Sequence, residues 1–332
     1  MCNKIKYFII TIDTEGDNLW DHRLGDTITT ENARFIPRFQ KLCNIYNFKP
    51  VYMVNYEMVQ DSFFVDFARN TIEKEQAEIG IHPHAWNNPP YYELKEHYND
   101  YGLPYLIEYP ETIMQEKFGV LFNLLKETFQ CDIVSHRSGR WTMNQTYFDL
   151  LIQYGIKIDC SVTPHISWKK AKGLSENSKG SNYKNSPEEP FIIKHSYTEH
   201  TLTEIPLTIR KLRYLFFNKA KLFQPKYIAS TIINTIRGKP TWLRPIGNNL
   251  PDMLTLIKYV QNSESDYLMF MLHSSELMPG GSPNFKDIES IKKLYGHLKI
   301  LFDTISNNFQ GITLRDYYSY LIKRQKTIRS PS

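Results

Sequence analysis

Short apolar runs alternate with amphipathic segments along most of this chain, and five runs end on a side chain suited to acid–base or ligand chemistry: Asp13, His82, Arg137, Asp159 and His273. Such alternation predicts parallel strands joined by crossover helices, an α/β fold. Strands are expected at Tyr7–Ile12, Val51–Asn55, Glu78–Ile81, Asp132–Ser135, Ile156–Ile158, Leu202–Ile209 and Tyr267–Leu272. A helix is expected from Thr30-Glu31-Asn32 through Phe35, Phe39, Leu42 and Ile45. Others are expected over Phe63–Glu75, Glu111–Phe129 and Gln145–Tyr154, with C-terminal helices at Ile288–Phe302 and Thr313–Lys323. In barrel folds the carboxyl ends of strands carry the chemistry. A single polar residue there means little; five in series define a candidate site.

The chain has 332 residues, of which 41% are hydrophobic, enough for a sizeable core. It shows no repeat and no clear linker, so one domain over 1–332 is expected, with an insertion loop at about 165–200 and C-terminal helices at about 286–325. A net charge of +5 does not by itself make a nucleic-acid binder. Four scattered cysteines, Cys2, Cys43, Cys131 and Cys160, form no CxxC and no disulfide framework. That usage fits a reducing compartment. With no apolar run near ~20 residues and no secretory apolar region before Phe8, a cytoplasmic location is expected.

In Thr11-Ile12-Asp13-Thr14-Glu15-Gly16-Asp17, carboxylates follow an apolar strand at a spacing of two. In extended chain such residues share a side. Three acids together repel unless a cation or an arginine neutralises them. They read as a metal ligand beside a general base, or as an acidic loop capping the next helix. Glu78-Ile79-Gly80-Ile81-His82-Pro83-His84-Ala85-Trp86 offers two imidazoles that can face one way, as in catalytic zinc sites, or a loop histidine packed on Trp86. In His136-Arg137-Ser138-Gly139-Arg140-Trp141, an arginine at a strand end can hold a carboxylate with a bidentate pair. Ile158-Asp159-Cys160 and Met271-Leu272-His273-Ser274-Ser275-Glu276 supply an Asp that can orient a His acting as general acid.

Taken in order, these five segments resemble the polysaccharide deacetylases of the NodB-homology type, carbohydrate esterase family 4, and most closely their WalW-like branch. The resemblance runs from Ile10 to about Phe285. The family's first motif, T-F-D-D-G-P, matches at Thr11-Ile12-Asp13, so Asp13 takes the place of the catalytic base. The motif's second Asp, a metal ligand, falls on Thr14; Glu15 is the expected replacement, with Asp17 as second choice. In the second motif, H-[S/T]-x-x-H, His82 matches the first His. The second falls on Trp86, and His84 is the expected substitute, in the H-x-H-x-W pattern of the WalW-like branch. Arg137 matches the Arg that tethers the base, Asp159 the fourth-motif Asp and His273 the fifth-motif His.

The resemblance implies a distorted (β/α) barrel of about seven strands. It further implies metal-dependent removal of an N-acetyl or O-acetyl group from a sugar or glycan precursor in surface-polysaccharide biosynthesis. Glu15, His82 and His84 would hold a divalent metal, zinc above all; Asp13, tethered by Arg137, would be the base; His273, oriented by Asp159, would be the acid. Trp86, Arg140, Trp141 and Trp168 are candidate substrate contacts, and core packing is the other reading of the tryptophans. A cytoplasmic setting favours a sugar nucleotide, a lipid-linked oligosaccharide or a polysaccharide precursor as partner. Residues 209–226 interleave Arg210, Lys211, Arg213, Lys219, Lys221 and Lys226 with apolar residues, and could touch a membrane or a pyrophosphate. The competing readings are another metal-dependent amidohydrolase or phosphoesterase, and an inactive carbohydrate-binding homologue.

Overall fold

Strand β1 (Tyr7–Thr14) is buried along its whole length, so it must be covered on both faces. That is why it reads as an unbroken apolar run. The computed structural model describes residues 5–20, 27–86, 88–91, 103–213 and 236–329. After β1 come β2 (Pro50–Val54), β3 (Glu78–Ile81), β4 (Ser135–His136), β5 (Ile158–Asp159), β6 (Phe191–Lys194) and β7 (Thr201–Glu204). The last four are β8 (Ile209–Leu212), β9 (Lys239–Trp242), β10 (Tyr267–His273) and β11 (Gln310–Gly311). The sheet runs β10-β1-β2-β3-β4-β5-β7-β6, with β11 beside β1. Every pairing is parallel except that of β6 with β7. The path is thus the expected seven parallel strands plus β6, an antiparallel edge.

The sheet curls into a distorted barrel, and side-chain alternation sorts the core into two clusters. Phe8, Ile10 and Ile12 point outward to the helices. Tyr7 and Ile9 point inward, with Val51, Met53, Ile158, Ile205, Met269 and Met271. Thr11 and Asp13 continue the inward-facing series of β1. The outer layer contains α1 (Ile36–Ile45), α2 (Tyr56–Gln60), α3 (Ser62–Glu73), α4 (Glu111–Phe129) and α5 (Gln145–Gln153). Further along are α6 (Leu250–Gln261), α7 (Ile288–Ser306) and α8 (Leu314–Arg329). Asn55, Asp61, Asn144 and Asp287 cap α2, α3, α5 and α7 by accepting backbone N–H bonds, which fixes where each crossover leaves its strand. No helix among the described residues is long and apolar enough to cross a membrane.

The expected strand Leu202–Ile209 is in fact two strands, β7 and β8, separated at Pro206, which has no N–H for a ladder. Strand β8 pairs antiparallel with β9 in a separate ribbon. This ribbon bridges to β10: Leu243 N donates to Thr208 O (3.3 Å), Met271 N to Leu243 O (3.2 Å), and Met269 N to the Thr208 hydroxyl (2.7 Å). The barrel wall is therefore continued here by a few stitches rather than by a regular ladder. The 169–190 loop is irregular apart from two β-bridges, Lys172 with Lys179 and Asn182 with Ser167.

Register brings the polar strand ends level. Asp13 lies beside His273 and Met53, Ile81 beside His136, His136 beside Asp159, and Asp159 beside Glu204. Gly80 permits close packing within this wall. A Cβ there would come 2.5 Å from Met53 Sδ, 2.7 Å from Ser135 Oγ and 3.0 Å from Ser135 O. Gly80→Ala is expected to destabilise the fold by about 1–3 kcal/mol through overpacking, read as a lower urea midpoint at unchanged m-value.

Candidate active site

Arg137 follows β4 and turns into the barrel, where it is completely buried. Its guanidinium donates to Asp13 Oδ1 (2.5 Å), Thr11 Oγ1 (2.8 Å) and Cys160 O (3.2 Å). Burial alone would raise the Asp13 pKa, but Arg137, His82 and His273 outweigh it and hold the carboxyl below its usual range. Asp13 is therefore an ionised acceptor inside the barrel mouth, with Oδ2 free of the Arg137 bond.

Glu15 and the two histidines converge next to it. Glu15 Oε2 lies 2.7 Å from His84 Nε2 and 3.5 Å from His82 Nε2. One donor atom from each of the three residues lies within 4.8 Å of the others. His82 Nδ1 faces the Arg137 carbonyl at 2.8 Å. A carbonyl can only accept, so this bond fixes the ring with its Nε2 lone pair toward Glu15. Gly139 makes room for His84: a Cβ there would sit 2.8 Å from His84 Nδ1 and from Pro83 O. Burial pushes the Glu15 pKa up, yet His84 and His82 hold it well below the usual carboxylate range. Burial likewise lowers His84, and Glu15 offsets this only in part. In His82 the carboxylates of Asp13 and Glu15 overcome burial and raise the pKa. A carboxylate and two imidazoles, one oriented by a backbone carbonyl, are a donor set that fits a divalent ion with an open position. Asp17 faces elsewhere: it accepts from Thr29 Oγ1 and Asn32 N, bonding the start of the 3-10 turn Glu31–Phe35.

His273, at the end of β10, has Nε2 3.7 Å from both Asp13 Oδ2 and Glu15 Oε1. The expectation that Asp159 orients it is corrected by the structure. Arg244 Nη2 is 3.1 Å from His273 Nδ1, and Glu276 Oε2 is 3.3 Å from it. Glu276 also accepts from the His273 N–H and from Arg244. Arg244 can only donate to Nδ1 and the Glu276 carboxylate can only accept from it, so Nδ1 is held between the two while Nε2 faces Asp13 and Glu15. Trp20 packs edge-on against the ring, centroids 4.9 Å apart. Asp159 instead accepts from Ser161 Oγ (2.6 Å) and pairs with His136 Nδ1 (2.7 Å). It lies one strand away from Arg137, and its neighbours come from β4 and β7. Burial and the Asp159 charge raise the Glu204 pKa well above the usual range. Glu204, Arg244 and Trp20 were not among the sequence candidates. Glu204 ends β7, but only Leu202 is apolar in that strand and Glu204 lies inside the expected strand Leu202–Ile209, so no strand-end signal marks it.

The proposed substrate contacts are mostly enclosed. Trp86 is 6% exposed, with its ring 4.4 Å from His84 and the Arg140 guanidinium 5.0 Å above it. Arg140 and Trp141 both adopt positive φ, 54° and 61°, a costly conformation for side chains of this size. This turn puts Trp141 under Arg137, 5.3 Å from ring centre to guanidinium. In the basic stretch, Arg210 is not a surface cation: it is buried and paired with Glu188 (3.2 Å) and Glu189 (2.8 Å). Lys219, Lys221 and Lys226 lie outside the described residues.

No family model matches the sequence, and neither does any curated protein. Solved structures do match in fold. A Mycobacterium smegmatis protein assigned as a polysaccharide deacetylase is 13% identical, over 98% of this chain and 93% of that one, with a TM-score of 0.52. A Parabacteroides distasonis protein assigned as a glycoside hydrolase/deacetylase is 9% identical, over 97% of this chain and 73% of its own, with a TM-score of 0.59. The allantoinase PuuE is 12% identical, over 94% and 88%, with a TM-score of 0.54. At these identities the likeness is one of fold, the distorted barrel of the deacetylases, and it assigns no residue a role.

Removing one partner of the Arg137–Asp13 pair strands a buried charge. Arg137→Met is expected to cost about 3–5 kcal/mol, and Asp13→Asn in the same chain is expected to recover part of it in a double-mutant denaturation cycle. Glu204 gives a pH signature. Its folded pKa lies above the unfolded value of about 4.3, so its contribution is complete below that value and lost as pH rises through the folded pKa. In Glu204→Gln this loss of stability with rising pH is expected to flatten, as measured by thermal melts across pH.

Proposed function

We propose that the chain is a metal-dependent hydrolase that removes an acyl group, acetyl above all, from the nitrogen or oxygen of a sugar. The observation that carries the reading is the convergence at one barrel mouth of three parts: an ionised Asp13 tethered by Arg137, the Glu15–His82–His84 donor set, and His273 Nε2. The fold neighbours assigned as deacetylases support the same reaction class, and the H-x-H-x-W segment is the basis for its WalW-like flavour. A cytoplasmic setting and a role on surface-polysaccharide precursors belong to this proposal.

Glu15, His82 and His84 would hold the ion. Bound there, it would acidify water and polarise the acyl oxygen. Asp13 Oδ2 is the acceptor for the attacking water's proton, and Arg137 keeps that carboxylate charged and fixed. His273 presents its Nε2 proton to the departing amine or alkoxide, so that the C–N or C–O bond breaks with a neutral leaving group. Arg244 and Glu276 hold the ring in place through Nδ1. Acid–base help of this kind is worth roughly 10²–10⁴-fold per group.

The test is elemental analysis beside acetate release from N-acetylated sugars. About one ion per chain is expected, lost in His82→Ala and in Glu15→Ala. Asp13→Asn is expected to keep the ion and to lose most turnover; wild-type turnover there would remove Asp13 as the base. Two ions per chain would favour the amidohydrolase or phosphoesterase reading, and none after reconstitution would favour an inactive sugar binder. Because His82 holds its proton more tightly than a free imidazole, ion uptake should release a proton and weaken as pH falls, as measured by calorimetry in buffers of different ionisation enthalpy.

A further inference from the structure

A basic cavity lies apart from the candidate site, at the end of the β8–β9 ribbon. It has a volume of about 470 Å³ and is lined by Lys211, Leu212, Arg213, Arg237, Thr255 and Tyr259. Tyr259 also lines a neighbouring cavity beside Ser265 and Asp266, just before β10 begins at Tyr267. His273 ends that strand at the barrel mouth, so the basic cavity sits toward the opposite end of the barrel. Gly238 draws the two strands of the ribbon together here. Its φ is 79°, and a Cβ on it would lie 3.0 Å from Lys211 Cβ. Arg213 follows the end of β8 and Arg237 precedes the start of β9, so the ribbon brings its three end cations to one place.

The charge of these cations is not neutralised by the chain. Their neighbours in the ribbon, Arg210 and Lys239, are paired with Glu188, Glu189 and Asp252, but Lys211, Arg213 and Arg237 make no ion pair among the described residues. The cavity lining contains no carboxyl group. The chain joining the two strands supplies none either, because no Asp or Glu occurs between Glu204 and Asp252. Three like charges round one cavity repel each other unless an anion is seated among them. Two guanidiniums, an ammonium and two hydroxyls can all donate, and the planar fork of a guanidinium matches the oxygens of a phosphate. Apolar surface flanks the cations. Ile236, next to Arg237, is 67% exposed, and Tyr259 is 49% exposed. The sequence beyond Arg213 continues in the same vein, Tyr214-Leu215-Phe216-Phe217, with Lys219, Lys221 and Lys226 following. Cations interleaved with apolar side chains suit a surface that meets lipid headgroups and the acyl boundary together. A site for a free phosphate needs only the cations.

We propose that this cavity seats the phosphate of an anionic membrane lipid, so that the β8–β9 ribbon docks the protein on an anionic bilayer. The inference is independent of the reaction at the barrel mouth. The probes are vesicles of phosphatidylglycerol and phosphatidylcholine in equal parts, vesicles of phosphatidylcholine alone, glycerol 3-phosphate and a single-stranded DNA oligonucleotide, each offered to the full chain. The chain is expected to sediment with the mixed vesicles and not with the neutral ones, and to be released as salt rises. Combining Lys211→Gln, Arg213→Gln and Arg237→Gln should lower partition onto the mixed vesicles about a hundredfold, at roughly fivefold per cation. All three side chains are exposed, so this variant should keep its fold. Arg237→Glu alone gives an independent reading and should weaken binding by about tenfold or more. Ile236→Ser should weaken it severalfold without touching a charge. No binding to the mixed vesicles, equal binding to the neutral ones, or full binding by the triple variant or by Arg237→Glu would each overturn the proposal. Binding of glycerol 3-phosphate without binding of vesicles would make the cavity a soluble-phosphate site, and preference for the DNA would make it a nucleic-acid site; either would overturn it as well.

Discussion

The buried pair between Arg137 and Asp13 sets the shape of everything around it. Along the sheet, the strands carrying these residues are three steps apart, β1 to β2 to β3 to β4. In a flat sheet that is about 14 Å, farther than an arginine side chain reaches. The pair can close only when the sheet curls and both strand ends face one interior. The same guanidinium binds Thr11, one inward-facing position below Asp13, and the Cys160 carbonyl just beyond β5. One cation thereby ties three strands at the mouth of the barrel. An ion pair so deeply buried adds little net stability over a well-packed apolar equivalent. Its presence makes better sense as a device that holds a carboxylate charged where water has been removed.

That device is surrounded by others of the same kind. Glu15, Asp159 and Glu276 each lie in the buried region and each meets a histidine or an arginine. At Glu204 burial and the Asp159 charge win instead, and its pKa is raised well above the usual range. The result is a set of carboxyl groups whose pKa values are pushed in opposite directions within one buried region. Asp13 and Glu276 are lowered by arginines, Glu276 to about 2, while Glu204 is raised. Pushing such groups apart in pKa is how one cleft comes to hold both a proton acceptor and a proton donor.

Much of this was legible in the sequence because parallel strands announce their ends. A fully buried strand is apolar until it leaves the core, so the first titratable residue after the run marks the barrel mouth, as at Asp13, His82 and His273. What one chain of letters does not contain is who faces whom across the mouth. Asp159 was paired with His273 by analogy, whereas register sets it beside His136 and Glu204. The true partners of His273 come from two places with no periodic signal. Glu276 lies one turn beyond the strand, within a 3-10 segment (Ser274–Leu277). Arg244 lies just past a ribbon whose existence depends on the Pro206 break and on three non-local bonds. Sequence ranks Glu15 ahead of Asp17 by its place next to Thr14, but the contacts that engage Asp17 come from Thr29 and Asn32, outside the motif.

On the proposed reading, the two departures from the deacetylase pattern, at Thr14 and Trp86, are one compensated change. Moving the acidic ligand from the strand end to Glu15 places its backbone beyond β1, where Ser274 Oγ receives the Glu15 N–H and Asn32 Nδ2 donates to its carbonyl. The longer glutamate side chain then reaches back toward His82. Moving the second imidazole from Trp86 to His84 keeps it near the start of the same loop, and Asn55 Oδ1 accepts its backbone N–H. The ring fits only because residue 139 has no side chain. Trp86, relieved of any ligand role, packs against the ring that replaced it. Asn32, Asn55, Gly139 and Trp86 therefore form the frame that lets Glu15 and His84 meet. On the proposed reading the two altered motifs therefore make one site, because Glu15 and His84 meet each other.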